Sequence, residues 1–335
     1  MKILFDHHTP FRLAHGGLQI QIEQTLHALG AIGVDAERLR WWDESQTGDL
    51  IHFFGRPDAS YIHFAHGKGM RVVMQELLAG LGARSALTRF AQKLFMTTAK
   101  AVLPSPFTAR MAWDSYRLAD ACIALTPWEG YLMGKMFDAP PERVHVVPNG
   151  VEPVFPASAP RERDRWLVCT ATITPLKRVV ELAEAAALAK VPVRIIGKPY
   201  AESDPYAQSF FKTAHRHGEF VRYEGPITDR TQLASIYRAA RGFVLLSTME
   251  TLSLSALEAA ACECPLLLSD LPWARSVFKR DATYCPVADA TRIATVLRQF
   301  YDAAPSLKPP PKPCAWTDVA LQLKRIYESL LSQRT

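Results

Sequence analysis

Short apolar runs alternate with longer helix-forming stretches along almost the whole chain, and this alternation most constrains its fold. Lys2–Asp6 reads as a strand, followed by a loop through Gly16-Gly17 and a helix with Leu18, Ile22, Leu26 and Leu29 on one face. Gly33 supplies a C-terminal stop, and Asp35–Arg40 reads as the next strand. Asp49–Phe54, Arg71–Met74, Ala121–Leu125 and Val144–Val147 continue the series. Strands separated by helices imply βαβ units and parallel sheets, an α/β class of fold. At 335 residues two domains are expected, because one core seldom grows past about 250–300 residues. Pro148-Asn-Gly150 is a turn signal, and the proline-spaced stretch to Pro160 reads as a linker. This places one domain at 1–150 and a second at 151–315. The second begins with Trp166–Thr170 and continues through an alanine-rich helix, Glu181–Lys190. Val193–Ile196, Phe220–Tyr223, Phe243–Leu246 and Pro265–Leu268 are its further strands. Pro305–Pro313 is a stiff connector to a final helix over Val319–Leu331.

Composition narrows the class. With 48% hydrophobic and 21% charged residues the chain can bury sizeable cores. No run approaches the ~18 apolar residues of a membrane span, and the N-terminus reads directly as a strand, so a cytoplasmic protein is expected. The six cysteines are scattered, with Cys262-Glu-Cys264 the only close pair, which points to buried thiols rather than disulfides or zinc. The net charge of +6 permits an anionic partner, but no aromatic-and-basic motif supports nucleic acid.

The stretch Phe243–Pro265 carries the most chemistry. An apolar strand stops at Ser247, a polar loop carries Glu250, and a helix-forming segment presents Glu258. At the carboxyl ends of α/β strands, helix N-termini offer free N–H groups to anions. The segment therefore offers an anion site flanked by two carboxylates. The alternative reading is a capping box, Ser255-Ala-Leu-Glu258, in which the glutamate only satisfies a helix end.

In order along the chain, five features resemble the GT-B glycosyltransferases, specifically the retaining glycosyltransferase group 1, or family 4. These are Gly16-Gly17 after the first strand, Val146-Val-Pro-Asn-Gly-Val151, Ala171-Thr-Ile-Thr-Pro-Leu-Lys177, and the pair Glu250 and Glu258 followed by Ala259–Pro265. The last is Trp316 before a terminal helix. The resemblance implies two Rossmann-like domains with parallel sheets facing a central cleft. The first would take the acceptor and the second the nucleotide sugar, with a helix at 316–335 packing back on the first. It implies retaining transfer of a hexose-type sugar from a UDP- or GDP-type donor to a glycan or lipid-linked acceptor, in cell-surface polysaccharide or glycolipid synthesis.

The resemblance implies no metal and no cofactor. Lys177, with Arg178 beside it, would offset the diphosphate charge, and the N–H groups of Thr251, Leu252 and Ser253 would cradle it. Gly16 and Gly17 would let backbone approach the distal phosphate. Glu250 would hold hydroxyls of the transferred sugar, and Glu258 those of the ribose. A loop at Gly225-Pro-Ile227 would flank the base.

The chain also departs from the pattern. Thr172 stands where the family has an arginine, and Gln75-Glu76 where many members have a histidine. An ionised Glu76 would sit badly beside phosphate; His7, His8, His63 and His66 are candidate stand-ins for the histidine. These departures leave open a catalytically silent nucleotide-sugar-binding protein and, as a third reading, a GT-B nucleotide-sugar epimerase. Finally, no Asp or Glu occurs between Leu77 and Trp113, while Arg84, Arg89, Lys93, Lys100 and Arg110 do. Leu87, Phe90, Leu94 and Phe95 at helical spacing make 84–100 a candidate for an anionic membrane surface on the inner membrane face, the alternative being a helix packed on the first sheet.

Overall fold

A computed structural model describes residues 1–8, 11, 16–104, 108, 110–156 and 162–332. The tail of the proline-spaced linker, 157–160, and the last three positions of the expected helix at 316–335 lie outside them. The chain divides into two compact units, Met1–Gly150 with Cys314–Thr335, and Val151–Pro313.

The first unit runs β1 (Lys2–His7), α1 (Gly17–Ala31), β2 (Asp35–Arg38), β3 (Leu50–Phe54), α2 (Ala59–Gly67) and β4 (Arg71–Gln75). It continues with α3 (Ala86–Val102), β5 (Ala121–Ala124), α4 (Pro127–Phe137) and β6 (Val144–Val146). All neighbouring strands are parallel, in the order β2-β1-β3-β4-β5-β6. The central strands β3, β4 and β5 are almost wholly buried and, apart from His52, Arg71 and Gln75, apolar, as expected of parallel strands covered on both faces. α1 ends in a Schellman motif: the Gly33 N–H reaches the Gly30 carbonyl at 3.0 Å and the Val34 N–H the Leu29 carbonyl at 3.0 Å. β2 stops two residues short of the expected Arg40. There the chain turns, with the Arg40 guanidinium reaching back to Glu37 and on to Asp43, at 2.7 and 2.9 Å.

The second unit runs β7 (Leu167–Thr170), α5 (Val179–Ala189), β8 (Val193–Ile196), α6 (Pro205–Arg216), β9 (Val221–Gly225) and α7 (Arg230–Ala239). It continues with β10 (Gly242–Leu245), α8 (Leu254–Ala261), β11 (Leu266–Ser269), α9 (Pro272–Phe278), β12 (Thr283–Cys285) and α10 (Ala290–Ala303). Its sheet is parallel as well, ordered β12-β11-β10-β7-β8-β9.

The chain then returns to the first unit with α11 (Trp316–Ser332), which packs on α1. This helix starts three residues before the expected Val319, and Asp318 in its first turn accepts the Ala315 N–H at 3.1 Å. His52 in β3 bonds the Tyr327 hydroxyl of α11 at 2.6 Å, and burial pushes its imidazole down to about 3. A neutral ring therefore joins sheet and helix. All six cysteines are free thiols. Five are buried, and burial pushes Cys169, Cys262 and Cys264 up to about 12.

Candidate functional site

In the second sheet the first strand, β7, lies between β8 and β10. The strand order reverses there, and an open α/β sheet binds ligands at the carboxyl ends of such a pair. The loop after β7 runs through Thr174 into a 3-10 turn at Pro175–Lys177. The loop after β10 ends at Ser253, whose hydroxyl caps α8 by accepting the Ala256 N–H at 3.3 Å. The Thr248 N–H ties the two loops by donating to the Leu176 carbonyl at 2.8 Å.

Lys177 and Glu250 meet at this point as an ion pair, and the Ser247 hydroxyl donates to the same Glu250 oxygen at 2.8 Å. Among the described residues, the backbone N–H groups of Thr251, Leu252 and Ser253 have no hydrogen-bond acceptor, although all three residues are buried. Free N–H groups in a row at the start of a helix form a cradle suited to an anion.

Glu258 lies one turn into α8. Because Ser253 is the cap, the Ser255–Glu258 capping-box alternative fails: Ser255 is already inside the helix, and the glutamate points elsewhere. Glu258 is 5% exposed, and its carboxylate pairs with Arg230 from α7 and accepts from the Tyr237 hydroxyl at 3.4 Å. Arg230 also holds Glu152 at 2.6 Å and lies 4.7 Å above the Phe155 ring. Burial pushes the Glu258 carboxyl above the usual carboxylate range, and the Arg230 charge works against that rise. Arg230, Glu152 and Ser247 were not among the residues singled out from sequence. Asp229 is legible as a helix cap, but nothing in the local sequence pairs Arg230 with a residue 28 positions away.

Arg178 is placed differently from Lys177. It sits in the left-handed region at φ 53°, and its guanidinium is held by the Ala288 carbonyl and by Glu181 at 3.3 Å. It is therefore turned to partners other than the Lys177–Glu250 pair. Gly197, at the end of β8, shows how tightly this region is built. Its φ is 141°, and a Cβ there would stand 2.0 Å from the Ala171 carbonyl oxygen. The loop after β7 keeps its path because position 197 has no side chain. Gly225 closes β9, and its carbonyl accepts the Gly197 N–H at 2.9 Å.

In the first unit, Gly16 caps α1 with φ 147°, a conformation that excludes ordinary side chains, and Gly17 begins the helix. Gln75 is buried at the end of β4. The expected liability at Glu76 is corrected: Arg56 holds its carboxylate through two bonds of 2.6 and 2.9 Å, and the Tyr116 hydroxyl donates to it as well. Its charge is thus neutralised locally. Among the histidines, His8 bonds the Arg56 carbonyl at 2.9 Å, His66 pairs with Asp120 at 2.8 Å, and His7 stacks on Phe11. His63 is exposed.

This geometry has parallels in known proteins. The chain is similar to a D-inositol 3-phosphate glycosyltransferase 1 of Catenulispora acidiphila, with 30% identity over 233 residues, covering 60% of this chain and 55% of that protein. It is also similar to a D-inositol 3-phosphate glycosyltransferase of Jonesia denitrificans, with 29% identity over 177 residues, covering 45% and 41%. The chain thus spans about half the length of the curated relatives it matches. Sucrose-phosphate synthase from Thermosynechococcus elongatus shares its fold with a TM-score of 0.68 at 16% identity, over 99% of this chain and all of that one. HepE of Anabaena, solved with UDP, does so with a TM-score of 0.65 at 14% identity, over 98% and 100%. The pair of parallel six-stranded sheets is therefore the GT-B fold. The family model for glycosyl transferases group 1 matches residues 152–308. This segment makes up nearly all of the second unit, which is thus similar to the glycosyl transferases group 1 family.

Proposed function

We propose that this chain is a retaining, metal-independent glycosyltransferase. It moves a hexose-type sugar from a UDP- or GDP-type nucleotide-diphosphate sugar to a glycan or lipid-linked acceptor, in polysaccharide or glycolipid synthesis. The observation that carries the reading is the meeting of Lys177, Glu250 and three free N–H groups where the second sheet reverses its strand order. Departure of a nucleoside diphosphate develops about two negative charges on the leaving group. Fixed dipoles and a cation placed where charge develops are usually the largest catalytic contribution. Lys177 and the amides of Thr251, Leu252 and Ser253 supply them in this reading, and no bound metal or cofactor is required.

Glu250, paired with Lys177, accepts hydroxyls of the transferred sugar. Glu258 accepts the ribose hydroxyls, since a carboxylate has about four acceptor positions and Arg230 and Tyr237 leave room for two more. In this reading the leaving phosphate takes the acceptor proton. The names of the relatives, D-inositol 3-phosphate glycosyltransferases, and the UDP bound to HepE support sugar transfer and a uridine donor.

The test is donor turnover by the full chain in excess EDTA, with UDP-, GDP- and ADP-sugars offered separately and nucleotide release measured. Turnover of one donor class is expected. Nucleotide binding without turnover would instead favour a silent binding protein, and turnover abolished by EDTA would refute metal independence.

A further inference from the structure

Helix α3 has its polarity reversed relative to an ordinary surface helix. Met96 and Ala99 are buried against the core of the first unit. The opposite face, at 100° per residue, carries Leu87, Phe90 and Leu94, which are 78%, 68% and 58% exposed, with Ala91, Thr98 and Ala101 between them. No charged residue falls on that face. A contiguous exposed apolar stripe of this size marks an interaction surface.

The flanking charges separate into two kinds. Lys93 is bound to Asp138 at 2.7 Å and Lys100 to Asp114 at 2.7 Å, so the two lysines expected to meet a membrane are spent on folding the first unit. The three arginines are different. Arg89 lies 4.8 Å over the Trp128 ring and donates to the Arg84 carbonyl, Arg84 donates to Gln92, and Arg110 is exposed. Among the described residues none of the three has a carboxylate partner, and the stretch from Leu77 to Trp113 contains no acid at all.

We infer that α3 docks on an anionic lipid bilayer, its Leu87-Phe90-Leu94 face inserted at the headgroup–acyl boundary and Arg84, Arg89 and Arg110 paired with lipid phosphates. An amphipathic helix lying in the interface plane buries its apolar face about 5–10 Å deep, and each basic residue near anionic headgroups adds to the binding. A second copy of the chain is the poorer occupant, because a symmetric contact presents each patch to itself and would set unpaired arginines against arginines. The inference stands apart from the sugar-transfer reading, since binding to vesicles requires no donor and no turnover.

The experiment is co-sedimentation of the full chain with vesicles of phosphatidylcholine alone and of phosphatidylcholine mixed with phosphatidylglycerol, with light scattering on the vesicle-free protein. The chain is expected to sediment with the mixed vesicles and to be monomeric without them. Leu87→Ser/Phe90→Ser/Leu94→Ser should weaken the partition by more than about 100-fold. Its melting temperature should stay unchanged, because the replaced side chains are exposed. Arg84→Gln/Arg89→Gln/Arg110→Gln should weaken partition by about 100-fold on mixed vesicles. Failure to bind either vesicle, or binding indifferent to phosphatidylglycerol and to the serine variant, overturns the inference. So does a dimer that the serine variant dissolves, which would give the surface to a second copy.

Discussion

Replacing Arg230 by methionine keeps most of the aliphatic stem over Phe155 but removes the only cation that faces Glu258 among the described ion pairs. Removing one member of a buried pair typically costs about 3–5 kcal/mol, because the other charge is left without compensation. The Arg230 side chain is 32% exposed, so water reaches part of the site and the lower end, about 3 kcal/mol, is expected. A second signature follows from the carboxyl itself. Burial already pushes Glu258 above its usual range. Without Arg230 it can escape the penalty by taking a proton, so the loss should be smaller at pH 6 than at pH 8. Adding Glu258→Gln removes the stranded charge, and the double variant should recover about 2 kcal/mol relative to the sum of the singles. Urea unfolding of the four proteins at both pH values measures this. A loss below about 0.5 kcal/mol, a loss that does not change with pH, or additive single effects would refute the reasoning.

Three further outcomes are expected. Lys177→Met strands the Glu250 carboxylate of a pair only 26% and 13% exposed, so it should cost about 3 kcal/mol in urea unfolding and slow sugar transfer by about 10²–10³-fold; kcat taken well below the variant's melting temperature checks the second effect apart from the first. Gly197→Ala should cost about 3 kcal/mol or more in urea unfolding, because its Cβ would collide with the Ala171 carbonyl in a conformation L side chains rarely adopt. Glu129 is buried and accepts the Leu78 and Leu125 N–H groups at 2.8 and 2.9 Å, yet burial pushes it up to about 7. Its native carboxyl therefore holds a proton that the unfolded chain has released. The stability it contributes is fully present below about pH 4.5 and is lost as the pH rises to about 7, by roughly 3 kcal/mol in all. Glu129→Gln should remove that slope from the melting curve between those pH values; an unchanged slope would show that Glu129 does not titrate there.

The alternation of apolar runs and helices was enough to read an α/β fold with parallel sheets, because buried parallel strands must be apolar on both faces and turns must fall at Gly33 and Pro148-Asn-Gly150. Strand ends were less legible. Arg40 could have continued β2, but its guanidinium found Glu37 and Asp43 instead. Ser255-Ala-Leu-Glu258 had the form of a capping box, yet Ser253 two residues earlier won the cap, which a four-residue pattern cannot decide. The side-chain partners were the least legible part. Arg56 with Glu76, Arg230 with Glu152 and Glu258, and Lys93 with Asp138 are joined across 20 to 78 residues by the path of the strands, and no local spacing encodes such pairs. In α3 the basic residues were legible, but which of them lacked an acid depended on Asp114 and Asp138 arriving from elsewhere in the unit.

The most direct measurement is calorimetric titration of the donor's nucleoside diphosphate into the native chain, Glu250→Ala and Glu258→Ala, with transfer rates taken on the same samples. The account predicts that Glu258→Ala binds nucleotide far more weakly, whereas Glu250→Ala binds it nearly as the native chain does and loses transfer. Equal loss of nucleotide binding in both variants, or unchanged binding in Glu258→Ala, would contradict the placing of donor nucleotide and sugar on these two carboxylates.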